Sequence, residues 1–406
     1  MCENSIIKIN HDDCTGCMMC GDICSKNAIS FHIENGFWFP FVDEEKCINC
    51  SICLKKCPVS PEYNKGNTNG ALASFGVKTK DETIRYQSTS GGFFTELAMA
   101  WMKNGGKTCG AIYAENQEIK HYLSSNIYDL EKLRQSKYAQ SWTSGIYKTI
   151  KEKLSKGDKI LFCGTPCQVA ALKSMLGKDY SNLLTMDFIC LGICSPIVYR
   201  RYLEMIERRY HSKIKQIWFK HKKNGWRSVS TYIKLENGQE YLRSCGYDMY
   251  MLSFITDAIS IRNSCDTCKF RNLNHISDFT VGDFWGIEKI NPEKDDNMGL
   301  SALFINSEKG LYWFNSIKDR LVSFETTPND VIAGNFSVLS PKKPSPQREA
   351  FLEYIMNHSF KRSMIKYSSI GGILGYLLNE LKCLIIIFKK NGELYINEKY
   401  GKNFFN

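Results

Sequence analysis

Residues 14–24 read CTGCMMCGDIC, and residues 47–58 read CINCSICLKKCP. Each run spaces its thiols as Cys-x2-Cys-x2-Cys-x3-Cys: first Cys14, Cys17, Cys20 and Cys24, then Cys47, Cys50, Cys53 and Cys57. Thiolates three residues apart in a tight turn converge on one face of an iron–sulfur cube, and the fourth ligand must come from elsewhere. A doubled run of this kind holds two 4Fe–4S clusters, with each fourth cysteine crossing to the other cube. The expected ligand sets are Cys14, Cys17, Cys20 and Cys57 for one cluster, and Cys47, Cys50, Cys53 and Cys24 for the second. Zinc sites and disulfide frameworks are the competing explanation, but zinc takes pairs of ligands rather than a triplet plus one. Pro58 turns the chain away after the second run; Ser25 stands in the matching place after the first, a small departure.

This is the pattern of a bacterial two-cluster ferredoxin, so residues 1–65 are expected to form a ferredoxin-like domain. The remainder of the 406 residues suits one or two further domains, and 43% hydrophobic residues can bury a full core. Eight of the 18 cysteines sit in the cluster spacing, which requires reduced thiols and points to a cytoplasmic setting. The first residues, MCENSIIKINHDDC, contain no long apolar stretch, so no signal peptide is expected. The net charge of +11 is uneven: residues 341–406 hold 11 Lys/Arg against 5 Asp/Glu. A solvated, basic helical tail is the expectation there. No zinc finger or RNA-binding aromatic signature accompanies the charge, so no nucleic-acid partner is expected.

A polar linker, PEYNKGNTN (61–69), precedes a mixed α/β region over 66–340. Gly91-Gly92 opens the apolar-periodic helix FFTELAMAWMK, and TCGAIYA, KILFC, LLTMDFI and SALFIN read as strands. Asn237-Gly238 within an alternating stretch marks a hairpin. Strands alternating with helices plus one hairpin give an α/β domain with a mixed sheet. The apolar run Ile370–Phe388 is nearly long enough to span a bilayer, but Asn379, Glu380 and Lys382 near its middle argue for a docked or amphipathic helix. Peripheral contact of this tail with a membrane surface is the lesser expectation.

Four of the ten remaining cysteines stand in loops after strands: Cys167, Cys190, Cys265 and Cys268. A Cys-x2-Cys pair with two single cysteines completes a third four-thiolate site. Buried free thiols would explain them equally, and Cys163 and Cys194, each four residues from a favoured position, are rival ligands. Cys2, Cys109, Cys245 and Cys383 read as ordinary thiols.

The order of these landmarks resembles the coenzyme F420 hydrogenase/dehydrogenase beta-subunit family, in its bacterial form with a ferredoxin domain ahead of it. The resemblance runs over about residues 1–335 and rests on Ser90-Gly91-Gly92, Ser136-Lys137-Tyr138, Gly164-Thr165-Pro166-Cys167-Gln168, Asp187-Phe188-Ile189-Cys190, Cys265-x2-Cys268-Lys269-Phe270, and Ser277-Asp278 leading into Gly282-Asp283-Phe284-Trp285-Gly286. It implies a 4Fe–4S cluster on Cys167, Cys190, Cys265 and Cys268 beside a bound FAD. Leu191 and Cys194 depart from the residues many relatives carry there, His and Pro.

A pyrophosphate is neutralised by glycines that lead into a helix. Ser90-Gly91-Gly92 and Gly164-Thr165 are the candidates, Lys137 and Tyr138 could add charge and stacking, and Asp283-Phe284-Trp285 could pack on the flavin ring. Plain helix starts at the glycines and a core turn at Trp285 remain open alternatives. No GxGxxG fingerprint is present. The expected function is an iron–sulfur flavoprotein oxidoreductase that joins a ferredoxin or other redox protein to a small two-electron substrate. The alternative is a non-catalytic electron-transfer subunit. No acid–base residue is identifiable.

Overall fold

The structure, a computed structural model, describes residues 2–63 and 70–383. In the N-terminal unit the two cysteine loops have matching backbones. Gly16 and Asn49 occupy the left-handed region at φ +66° and +55°, and so do Met18 and Ser51 at +63° and +60°. Each loop thus coils left-handed at the residue before its second cysteine and again just after it, which turns three successive thiols inward. Left-handed backbone is unfavourable for Met18 and Ser51, so the surrounding contacts must hold it. A short helix follows each loop, Met19–Ile23 and Ile52–Lys55. Between them β1 (Ile29–Glu34) and β2 (Phe37–Val42) pair antiparallel around Asn35-Gly36, whose φ of +46° and +78° suits a two-residue hairpin turn. Among the described residues no strand precedes the first loop. Residues Ile6–Lys8 form a 3-10 turn instead, because their backbone groups bond locally, Ser5 N–H to Cys2 O and Lys8 N–H to Ser5 O.

The main body carries β3 (Ala73–Thr79), β4 (Lys107–Tyr113), β5 (Ile119–Ser124), β6 (Ile160–Cys163), β7 (Leu183–Phe188), β8 (Ile214–His221), β9 (Ser230–Leu235), β10 (Glu240–Ser244), β11 (Phe279–Asp283), β12 (Ser301–Ile305) and β13 (Leu321–Glu325). Eight of them form one mixed sheet, in the order β13-β3-β12-β11-β7-β6-β4-β5, and β10-β9-β8 form a second, antiparallel one. The four central strands β11, β7, β6 and β4 are parallel. In open α/β sheets ligands gather outside the carboxyl ends of such strands. Here those ends are Asp283, Phe188, Cys163 and Tyr113. Helix Phe93–Lys103 buries Leu97, Ala98 and Trp101 against the sheet, while helix Pro166–Leu176 is buried along nearly its whole length.

The N-terminal unit is docked through its own polar groups. The Asp22 carboxylate accepts from the N–H groups of Gly145, Tyr147 and Lys148 at 2.5, 2.9 and 3.2 Å. It therefore caps helix Ile146–Ser155, whose preceding residue, Gly145, has no side chain to do so. Asp22→Ala is expected to lower stability by about 1 kcal/mol, read as a lower urea midpoint with an unchanged slope.

The segment after residue 340 contributes to the core as well as to the charged surface. Helices Arg348–Asn357 and Phe360–Tyr367 bury Phe351, Leu352, Ile355, Phe360 and Met364 with Tyr202 and Ile206 of helix Pro196–Tyr210. Apolar residues at helical spacing decide this, and a charge count does not register them. Residues 372–383 continue as a helix. One face is anchored by Glu380, paired with Arg209 and Arg243, while Ile373, Leu374, Leu377, Leu378 and Leu381 remain 48–70% exposed. No helix among the described residues is long and apolar enough to cross a membrane. The run to Phe388 lies partly outside the described residues.

Candidate redox centre

The thiols fall into three groups. In the first, Cys20 is pushed well above the ordinary thiol range by burial and then by Cys17, Cys14, Cys57 and Cys53. Cys57 is pushed up to about 12 by burial, with Cys17 and Cys14 adding to it. The fourth cysteine of the second run thus sits among the first three of the first run. In the second group, Cys24, Cys47, Cys50 and Cys53 line a cavity of about 430 Å3. Burial raises Cys53, and Cys24 and Cys50 add to the effect. Cys50 is exposed to solvent.

The third group is Cys167, Cys190, Cys265 and Cys268, which line a cavity of about 600 Å3 together with Thr15 of the N-terminal unit. Thr165 and Gln168 form a reciprocal capping box, and Pro166 fixes the first turn, so Cys167 enters the positive end of helix Pro166–Leu176. Cys190 lies two residues beyond the end of β7. Cys265 ends a 3-10 turn, Asn263–Cys265, and its sulfur accepts from Ile193 N–H at 3.3 Å. Burial drives Cys167 well above the ordinary range, with Cys268, Cys190 and Cys17 adding to it. Burial and then Cys265 and Cys268 take Cys190 up to about 12. The rivals stand apart. Cys194 is 1% exposed and donates to Ser260 Oγ at 3.2 Å. Cys163 ends β6, where burial and then Asp187 push it up to about 12.

These surroundings fit an iron–sulfur core. Among the described residues no three His, Cys, Asp or Glu side chains converge on a single-ion position; the thiols of the second and third groups enclose volumes. Among the described residues no carboxylate lines either cavity. Thiols packed together in an apolar interior hold one another protonated, and only a strongly positive core would reverse that. The three groups also adjoin. Cys20, Cys53, Cys57 and Cys167 belong to one apolar cluster with Phe270, against which Cys47 and Cys268 pack.

The residues expected to hold a flavin gather along the same carboxyl edge. Asp283 ends β11 and pairs with Lys220, whose ammonium stands 5.8 Å from the Tyr138 ring and 5.3 Å from the Trp285 ring. Trp285 stacks on Trp226 at 4.4 Å. Lys137 donates to the carbonyls of Lys132, Arg134 and Gln135, and burial lowers it to about 7. Ser90 bonds Leu300 O, and its own carbonyl receives the Lys222 ammonium at 2.7 Å. Gly91 N–H is bound to Ser301 Oγ, and a β-carbon there would stand 2.2 Å from Val77 O. Thr165 N–H is bound to Gln168 Oε1. Phe284 is fully buried and stacks on Phe324, away from the crevice. Gly164 bonds Met186 O through its N–H. The half-buried cationic and aromatic groups suit a flavin; the N–H groups of Gly91, Gly164 and Thr165 already have partners within the chain.

Four residues of these sites had no sequence signal: Arg262 beside the first and third groups, Lys220 at the crevice, and Arg271 and His275 lining the third cavity. His275 lies 2.9 Å from the buried Asp187, which also accepts from Thr280 at 2.6 Å.

The family model for the C terminus of the coenzyme F420 hydrogenase/dehydrogenase beta subunit matches residues 157–330, and that for the 4Fe–4S dicluster domain matches residues 13–60. Residues 157–330 form a domain of the coenzyme F420 hydrogenase/dehydrogenase beta-subunit family. An uncharacterized ferredoxin of Methanocaldococcus jannaschii is 34% identical over 55 residues, which are 13% of this chain and 70% of that one. A chain of the F420-reducing NiFe hydrogenase complex of Methanosarcina barkeri superposes with a TM-score of 0.44 at 14% identity, covering 76% of this chain and 98% of that one. A domain of the F420 hydrogenase/dehydrogenase beta-subunit family makes this an oxidoreductase-type protein, and its dicluster domain makes it an iron–sulfur redox protein.

Proposed function

We propose that the chain is an iron–sulfur flavoprotein oxidoreductase that passes electrons between an external ferredoxin-type protein and a small two-electron substrate. Its ligand sets are Cys14, Cys17, Cys20 and Cys57; Cys47, Cys50, Cys53 and Cys24; and Cys167, Cys190, Cys265 and Cys268. FAD occupies the carboxyl-edge crevice, between Lys137, Tyr138, Lys220 and Trp285. A 4Fe–4S core moves one electron at a time, and a flavin exchanges single electrons for pairs. The observation that carries this reading is the adjacency of the three thiol groups, with Cys53 beside Cys20 and Cys17 beside Cys167. Cys50, the exposed member, belongs to the set farthest from the crevice in this order, which suits a partner-facing terminus. A reducing, cytoplasmic setting is part of the same reading.

Anaerobically purified protein is expected to hold about twelve irons, from three four-iron clusters, and one flavin per chain. About eight irons and no flavin in a fully reconstituted sample would favour the non-catalytic electron-transfer subunit.

The exposed stripe Ile373, Leu374, Leu377, Leu378 and Leu381, with Lys361, Arg362, Lys366 and Lys382 exposed nearby, favours surface contact with an anionic membrane. The protein should float with phosphatidylglycerol vesicles and lose this in Leu374→Glu/Leu377→Glu. Wild-type protein that stays at the bottom of the gradient removes the idea.

A further inference from the structure

Arg262 is 1% exposed, the one charged side chain among the largest fully buried groups of the described residues. Its hydrogen bonds and ring contacts among the described residues are to neutral groups. Nε donates to Cys14 O at 2.6 Å and Nη1 to Trp38 O at 3.1 Å. The guanidinium carbon lies 4.0 Å from the centre of the Phe39 ring and 5.3 Å from that of Phe37. Nη2 is buried and has no hydrogen-bond partner among the described residues. A guanidinium in an apolar interior without an anion is strongly unfavourable, so this site is built around a negative charge that the side chains around it do not supply.

The position of Arg262 says where that charge belongs. Its own carbonyl accepts from Cys265 N–H, a member of the third thiol group, at 3.1 Å, and its Nη1 lies so close to Gly16, beside Cys17 of the first group, that a β-carbon there would stand 2.8 Å away. Through Nε it also holds the carbonyl of Cys14, a second member of the first group. Arg271 offers a contrast. It lines the third cavity and donates to the carbonyls of Ser337, Ser340 and Leu191, with no hydrogen bond to the N-terminal unit among the described residues. A cube with four thiolate ligands carries net negative charge that deepens by one on reduction, and nearby charge is among the factors that set its potential.

We propose that Arg262 is a counter-charge shared by two clusters, the one on Cys14, Cys17, Cys20 and Cys57 and the one on Cys167, Cys190, Cys265 and Cys268. One guanidinium favours the reduced form of both and so raises their two potentials together. The step it serves is the transfer of one electron between them: one cluster is oxidised by one unit, the other is reduced by one, and no proton or bond changes hands. This rests on the three-cluster reading above.

The test is an EPR-monitored redox titration of the reconstituted, full-length holoprotein, with iron counted in every sample. Arg262→Gln is expected to move two of the three midpoints to more negative potential and leave the third, that of the Cys24, Cys47, Cys50 and Cys53 set, in place. Arg262→Lys should recover most of both shifts. Arg271→Gln should move the midpoint of the Cys167, Cys190, Cys265 and Cys268 set alone. Three unmoved midpoints in an Arg262→Gln protein with full iron, or equal movement of all three, overturns the proposal. If the glutamine variant does not assemble, Arg271→Gln decides, since movement of two midpoints there removes the claim that Arg262 is the shared charge. Wild-type protein with fewer than three clusters would instead overturn the reading on which the proposal rests.

Discussion

The double substitution Cys265→Ser/Cys268→Ser is expected to remove about four of about twelve irons per chain and to leave the dicluster signal intact. These two residues supply half of the third thiol group from one short segment, and a serine hydroxyl does not replace a thiolate on iron. The first two groups are formed by loops that carry their own left-handed turns at Gly16, Met18, Asn49 and Ser51, so they do not depend on residues 265 and 268. The comparison with Cys163→Ser and Cys194→Ser makes the result specific. Cys194 is tied to Ser260, and Cys163 lies at the end of β6 outside the cavity, so each single variant should retain full iron. Unchanged iron in the double variant, or a loss of four irons in Cys194→Ser, would show that the third set has been assigned wrongly.

Lys220→Met should be the most destabilising single change at the crevice. The Lys220 and Asp283 side chains are only 14% and 8% exposed, and the ammonium also lies over the Tyr138 and Trp285 rings. Burial alone would pull Lys220 down; Asp283 and Tyr138 more than reverse this and keep it charged. Removing the lysine leaves the Asp283 carboxylate buried without its partner, a loss of roughly 3–5 kcal/mol. The double variant Lys220→Met/Asp283→Leu removes both charges and should recover much of that, which denaturant unfolding can measure. Both variants should bind flavin less well, since the cationic face of the crevice is gone. A folded Lys220→Met protein with a full complement of flavin would move the flavin elsewhere without changing the stability result.

The cluster loops were legible because their chemistry is local: ligands three residues apart declare themselves in a string. The strands around GTPC and DFIC and the Asn237-Gly238 turn were legible for the same reason, and Asn35-Gly36, the same dipeptide, makes a second hairpin. Spacing left the third thiol group ambiguous between Cys163 and Cys167 and between Cys190 and Cys194. Only the cavity separates them, because it depends on which strand end each loop leaves. Arg262 and Lys220 were out of reach. Arg262 bonds a residue 248 positions away and Lys220 one 63 positions away, and nothing in their immediate neighbours marks either. Charge counting misjudged the C-terminal region because Phe351, Leu352 and Ile355 decide where it packs.

The docking of the N-terminal unit has a consequence for how this chain can vary. Gln140, Thr143, Ser174, Ser195, Arg262 and Lys269 reach across to it, and each donates to a main-chain oxygen: those of Gly16, Cys17, Lys56, Gly36, Cys14 and Val59. At these six points the joint reads the course of the opposing backbone and not its letters; the side chains that do cross it are few, among them Asp22, Phe37 and Phe39. A single inserted residue in either cysteine loop would shift the row of oxygens out of register and part the two halves.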